Sequence, residues 1–198
     1  MSIVVGLTGP TGAGKSTASK TAQALGFKVI DCDKLARVAV EKGSEGLAAL
    51  IKVFGANILN TDGTLNRKKL AEIAFSTKDN TELLNRTLLP YIVMLVKEEM
   101  NVPLVLLDAP TLFESGINSM CNATVAVLAS KEIRLKRICE RDLIDEESAL
   151  LRINAGKTDE FYLNNADFII YNNTNEVAFT DEFKNIICNI KNSAKENG

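Results

Sequence analysis

Gly9-Pro10-Thr11-Gly12-Ala13-Gly14-Lys15-Ser16, followed by Thr17, is the stretch from which the rest of the chain can be read. It matches G-x-x-x-x-G-K-[ST], the pattern of a phosphate-binding loop. The chemistry dictates the residue types. A polyphosphate needs several backbone N–H groups converging on it, and glycine lets the backbone come close where a Cβ would block the approach. The helix beginning just beyond the loop adds partial positive charge at its N-terminus. Gly12, Ala13, Gly14, Lys15, Ser16 and Thr17 are therefore expected to bind ATP. Lys15 would reach the β- and γ-phosphates, and the Ser16 hydroxyl would ligate Mg²⁺. The bare pattern arises from composition alone in on the order of one chain of this length in a hundred. Its flanks answer that alternative: Ile3-Val4-Val5-Gly6-Leu7 reads as a buried strand before it, and a helix to about Leu25 follows.

Working outward, Gly26 ends that helix, and Phe27-Lys28-Val29-Ile30 reads as a second strand stopping at Asp31. Helical patterns follow at about 34–41, 44–54, 66–75 and 79–100, the last interrupted by Pro90, with a turn at Asn60-Thr61-Asp62-Gly63. Leu104 to Asp108 and Ala123 to Leu128 are strands, 131–141 is a basic helix, and acidic and polar helical residues fill 144–165. Phe168 to Tyr171 is a last strand, a closing helix covers about 176–191, and the lysine-rich tail beyond is expected to fray. Strands alternating with helices predict an α/β protein with a parallel sheet of about five strands, helices on both faces. Residues 1–198 would form a single domain of the P-loop kinase fold. A helical subdomain at about 43–101 interrupts the alternation, and a lid spans about 137–165.

Composition removes several classes. The 198 residues are 46% apolar and 24% charged, with a net charge of −2. That balance suits a globular protein and offers no basic excess for nucleic acid or an anionic membrane. The start carries no positive n-region, and nowhere do 18 apolar residues run together, so neither a signal peptide nor a membrane span is expected. Cys32, Cys121, Cys139 and Cys188 form no C-x-x-C pair, which points to reduced thiols and a cytoplasmic location. There is no histidine, so a general base would have to be a carboxylate, a lysine, a thiolate or a tyrosine. A guanine-reading N-K-x-D motif is absent, and the length leaves no room for the modules of most motor ATPases. A nucleotide or metabolite kinase fits best. A nucleotide-dependent switch protein is the alternative from another class.

Such a kinase needs a base and cations around the transferred phosphoryl group. Asp33, in Asp31-Cys32-Asp33 at the end of the second strand, can accept a hydroxyl proton, hold a metal-bound water, or cap the helix that follows. Asp108, after four apolar residues, suits a Walker-B acid that orients Mg²⁺ through water, or equally a strand-end turn or cap. Arg137 and Arg141 stand at i and i+4 on one helical face, ready for a phosphate or forming a solvated basic face balanced by Glu140 and Asp142.

With those residues in place, the chain resembles the dephospho-CoA kinase family from Ile3 to about Asn173. The likeness is carried by Leu7-Thr8-Gly9 and the loop, Ile30-Asp31-Cys32-Asp33 with Ala36-Arg37-Val38, and Phe54-Gly55. Further along it is carried by Asp62-Gly63-Thr64-Leu65-Asn66-Arg67, Asp108-Ala109-Pro110-Thr111-Leu112-Phe113-Glu114, Arg137 to Asp142 and Ala166-Asp167 to Asn172. The resemblance implies Mg²⁺-dependent transfer from ATP to the ribose 3′-hydroxyl of dephospho-CoA, the last step of coenzyme A synthesis. It implies Asp33 as base, Lys15 bridging the phosphates, and Arg141 meeting the γ-phosphoryl group from the lid. Arg137 and Asn172 would belong to the ATP site, while Ser16, Asp33 and Asp108 would serve the metal, the two aspartates through water. Asp33, Arg67 and Glu114 would contact the acceptor in the helical lobe. The implied partners are ATP and dephospho-CoA, with the chain a monomer or weak homo-oligomer. It departs from the family's usual residues at Leu89 (for His before Pro90), Thr111, Gly156 and Tyr162, with Lys157 close enough to replace a lost charge.

Overall fold

The computed structural model describes residues 2–196. Five strands, β1 (Ile3–Thr8), β2 (Lys28–Asp31), β3 (Leu104–Asp108), β4 (Ala123–Leu128) and β5 (Phe168–Tyr171), form one sheet in the order β2-β3-β1-β4-β5. β1 runs parallel to β3 and to β4, and β4 parallel to β5. Register explains why near-continuous apolar runs were required. Val5 pairs with Leu106, Leu7 with Val125 and Val127 with Ile170, so residues of one parity line up across the sheet. All six are fully buried in one cluster with Ala18 and Ala22 of α1 (Lys15–Ala24) and with Phe179, Phe183 and Ile187 of α9 (Glu176–Glu196). The opposite parity faces the other way. There a Cβ on Gly6 would lie 2.8 Å from both Cys121 Sγ and Leu112 Cδ2, so glycine makes room for that cover.

The chain divides into two compact units. Among the described residues, the first holds those up to Ile30, Val102–Leu112 and those from Met120 on: most of the sheet with α1, α6 (Lys131–Asp142), α7 (Glu146–Asn154), α8 (Asp159–Asn165) and α9. The second holds Asp31–Asn101 and Phe113–Ser119, with α2 (Cys32–Val38), α3 (Glu45–Phe54), α4 (Arg67–Ala74) and α5 (Lys78–Glu99). It has its own core of Val40, Leu50, Ile58, Leu70 and Ala74, with Phe54, Leu84 and Leu88 packed around it.

Three expectations need correction. Pro90 does not interrupt its helix: α5 runs unbroken from Lys78 to Glu99. Proline removes the bond to the carbonyl four residues back, here that of Arg86, and both residues are on the exposed side, where water can serve that carbonyl. The acidic stretch 144–165 is two helices, α7 and α8, separated at 155–158. The closing helix does not end at 191. Ile187 and Ile190 keep its inner face in the core, and α9 continues to Glu196, while the last two residues of the expected frayed tail lie outside the described residues.

Candidate active site

The phosphate loop joins β1 to α1. Two of its glycines are irreplaceable on steric grounds. Gly9 has φ +140° and a Cβ there would fall 2.1 Å from the Val127 carbonyl oxygen; Gly14 has φ +103° and a Cβ would fall 2.1 Å from Asn172 Nδ2. Lys15 curls over the loop, its ammonium donating to the Gly9 carbonyl at 2.7 Å and the Pro10 carbonyl at 3.5 Å. Ser16, the next residue of α1, is exposed. One turn further along, Ser19 Oγ donates to Asp108 Oδ2 at 2.7 Å, which ties the end of β3 to the first turns of α1. The β1–β3 register places Asp108 beside Leu7, one residue before the end of β1, so this carboxylate does stand at the loop.

The outer side of the loop is held by donors from far along the sequence. Arg137 Nη1 donates to the Ala13 carbonyl at 3.2 Å and the Gly12 carbonyl at 3.5 Å. Its Nη2 donates to both the backbone and the side-chain oxygen of Asn172, each at 3.2 Å. Asn172 Nδ2 donates to the Ala13 carbonyl at 2.9 Å, and its own N–H reaches the Leu128 carbonyl at 2.7 Å. Arg137 and Asn172 thus brace the loop from behind. Sequence reasoning missed a third brace, Arg134, which is 5% exposed and whose Nε donates to the Thr11 carbonyl at 2.9 Å. The available signal was its spacing of three and seven from Arg137 and Arg141 on one helix.

Arg141, at the other end of α6, grips Asp142 bidentately, Nε to Oδ1 at 2.7 Å and Nη2 to Oδ2 at 2.8 Å. Arg152 of α7 closes on the same carboxylate. These hydrogen bonds, that from Arg141 foremost, hold the Asp142 carboxyl below its usual range and raise the Arg141 guanidinium further. Two exposed cations thus share one anion and leave the cluster a net positive charge. Arg152 is a second cation beside the predicted one. Burial, with Asp167 nearby, pushes the Cys121 thiol up to about 12, which removes this thiolate as a base at neutral pH. Among the described residues no cysteine forms a disulfide.

In the second unit the open choice at Asp33 narrows. The helix cap is Asp31, whose side chain accepts from Lys34 N at 3.0 Å, while Asp33 lies exposed inside the first turn of α2. Arg67 is the exposed first residue of α4, after the cap Asn66. Glu114 is half-buried, its backbone oxygen accepting from Asn85 Nδ2 at 2.9 Å, and its buried Oε2 has no hydrogen-bond partner among the described residues. A cavity of about 370 Å³ at the far end of α2, lined by Val38, Ser44, Tyr91 and Leu95 among others, includes none of these three. Leu89 packs against Gly116, its Cδ2 3.2 Å from where a Cβ would stand, and Tyr162 is buried edge-on against Phe161 at 5.4 Å. Lys157 sits over the Phe161 ring at 5.1 Å.

The strand order, with a glycine loop opening into the first helix and arginines gathered on one helix beyond β4, defines a P-loop kinase. The dephospho-CoA kinase family model matches residues 3–178. The dephospho-CoA kinase of Fusobacterium nucleatum is 40% identical over 187 residues, covering 93% of this chain and 95% of that one. Two solved structures are similar. One is TT1252 from Thermus thermophilus (TM-score 0.76, 30% identity, 95% and 97% of the two chains covered). The other is dephospho-CoA kinase from Campylobacter jejuni (TM-score 0.64, 29% identity, 98% and 100%). The chain belongs to the dephospho-CoA kinase family and is a kinase that uses a nucleotide. Among the described residues, no helix is long and apolar enough to cross a membrane.

Proposed function

We propose that this chain transfers the γ-phosphoryl group of ATP to the ribose 3′-hydroxyl of dephospho-CoA, releasing coenzyme A and ADP in the cytoplasm. The observation that carries the proposal is family membership over nearly the whole chain, together with an intact, braced phosphate loop. Phosphoryl transfer asks little covalent chemistry of a protein, so alignment and charge neutralisation carry the rate. The loop amides and Lys15 would hold the β- and γ-phosphates. Lys15 meanwhile donates to loop carbonyls, which pre-positions its ammonium at the loop. Arg141, with Arg152 beside it, would meet the negative charge spreading over the γ-phosphoryl oxygens. Asp33 is relieved of capping by Asp31 and would take the hydroxyl proton. Arg67 and Glu114 would contact the acceptor, and the bare Glu114 Oε2 suits a donor from a ligand.

The donor set fits Mg²⁺. Ser16 and Asp108 offer oxygen, and among the described residues no group of three or more His, Cys, Asp or Glu could form an all-protein cage. Mg²⁺ is usually bound through one or two protein oxygens plus phosphates. It would neutralise phosphate charge in the site, held by Ser16 and, through water, by Asp108 or Asp33. The decisive assay is incubation with ATP, Mg²⁺ and dephospho-CoA with mass detection of coenzyme A; ADP formed without coenzyme A would overturn the proposal. Asp33→Asn should fold and bind both substrates yet lose most of kcat. A variant that loses thermal stability and keeps its rate would refute the role of Asp33.

A further inference from the structure

Arg134 makes little sense as a residue kept for stability. Its guanidinium is buried, at 5% exposure, and makes one good hydrogen bond, from Nε to the Thr11 carbonyl. Its ion-pair partner, Asp159, stands 3.8 Å from Nη1, beyond hydrogen-bond distance. Nη2 is buried with no hydrogen-bond partner among the described residues. Burial pulls the pKa of Arg134 down, with Asp159 and Tyr162 opposing. Replacing a poorly paired buried charge by an apolar side chain of similar volume is often neutral or stabilising. Here Asp159, half-exposed, would stay hydrated after the loss.

What the side chain does hold is the third of three consecutive loop carbonyls. Arg137 and Asn172 take Gly12 and Ala13, and Arg134 takes Thr11. Within one peptide unit the C=O and N–H point in opposite directions. A carbonyl anchored on the outer side therefore aims the next residue's N–H inward. A cationic donor on that carbonyl also polarises the unit and makes the N–H a stronger donor. The closeness is steric as well: a Cβ on Gly12 would come within 2.9 Å of the Arg134 carbonyl oxygen.

We propose that Arg134 is a positioning residue for nucleotide binding, anchoring the Thr11 carbonyl so that the Gly12 amide is aimed at, and polarised toward, the bound phosphates. The proposal rests on the ATP-dependent reading above and goes beyond it in assigning this residue. It predicts an unusual combination. Arg134→Met should leave the melting temperature of the nucleotide-free protein unchanged or raised. It should also weaken Mg·ADP binding, measured by calorimetry, about tenfold. In turnover, KM for ATP should rise by a similar factor while KM for dephospho-CoA stays put. Arg134→Gln, which keeps a neutral donor, should recover part of the ADP affinity. An Arg134→Met protein that melts lower or fails to fold, or one that binds ADP like the wild type, overturns the proposal and makes Arg134 a packing residue. Wild-type protein that does not bind Mg·ADP overturns both this inference and the kinase reading. Wild-type protein that binds ADP but makes no coenzyme A overturns only the acceptor, and the ADP comparison still decides the role of Arg134.

Discussion

Replacing Asn172 by alanine tests how far the phosphate loop depends on the residues behind it. Asn172 is 5% exposed and joins three partners: its N–H to Leu128, its Nδ2 to the Ala13 carbonyl at 2.9 Å, and its Oδ1 to Arg137 at 3.2 Å. Alanine keeps the first and loses the other two. The neutral bond is worth about 1 kcal/mol and the charge-assisted one about 1.5–3 kcal/mol. Arg137 retains the Asn172 backbone oxygen and the Ala13 carbonyl, so the lower end of the second figure applies. The total is about 2–3 kcal/mol, which for a chain of this size lowers the melting temperature by roughly 5–10 °C. Mg·ADP affinity should fall as well, because the Ala13–Gly14 peptide unit loses one of its anchors. Asn172→Asp sharpens the test. It preserves shape and binds Arg137 more strongly, yet it turns an oxygen toward the Ala13 carbonyl oxygen, so it should lose at least as much stability as alanine. Thermal denaturation followed by fluorescence or circular dichroism, with and without Mg·ADP, reads both effects. Variants that melt within about a degree of the wild type and bind ADP equally well would refute the bracing role of this side chain.

Lys15→Ala should lower kcat/KM by about two to four decades, the loss of a preorganised cation worth roughly 3–5 kcal/mol at the transition state; near-normal turnover in a coupled assay would rule it out. Gly9→Ala should destabilise the fold by about 3 kcal/mol or more, since the backbone there has φ +140° and the new Cβ would stand 2.1 Å from the Val127 oxygen; a urea midpoint like that of the wild type would contradict this. The carboxyl pKa of Asp142 is depressed in the folded chain, chiefly by the Arg141 hydrogen bond. Its stabilising contribution is therefore complete above the unfolded carboxylate pKa, about 3.9, and fades as pH falls through the lower folded value. The stability difference between wild type and Asp142→Asn should be flat from neutral pH to about 5 and shrink below about 4, which denaturation at several pH values will check.

The parts of this molecule written in short-range patterns were legible in its sequence. The apolar runs around Val5, Leu106 and Val125 had to be buried strands because both their faces are covered, and the loop between Gly9 and Ser16 states its chemistry in consecutive residues. Features that depend on three-dimensional choice were not legible. Two aspartates flank Cys32, and either could have capped α2; only the point at which the helix starts selects Asp31. Pro90 reads as an interruption on local rules, which contain nothing about the solvent side of α5. Arg134 looks like any basic residue in Lys131 to Arg141 until the sheet order brings β4 beside β1 and folds α6 against the loop. The role expected of Asn172 rested on its place after the last strand, and its contact with Ala13 spans 159 positions of sequence.

That last separation bears on how the protein is made. The donors that hold the carbonyls of the glycine motif, Arg134, Arg137 and Asn172, are translated more than 120 residues after it. A nascent chain halted short of Arg134 carries the complete motif with none of these three donors, and one halted short of Asn172 still lacks the last of them. The braced form of the loop is therefore complete only once the chain has been translated through Asn172.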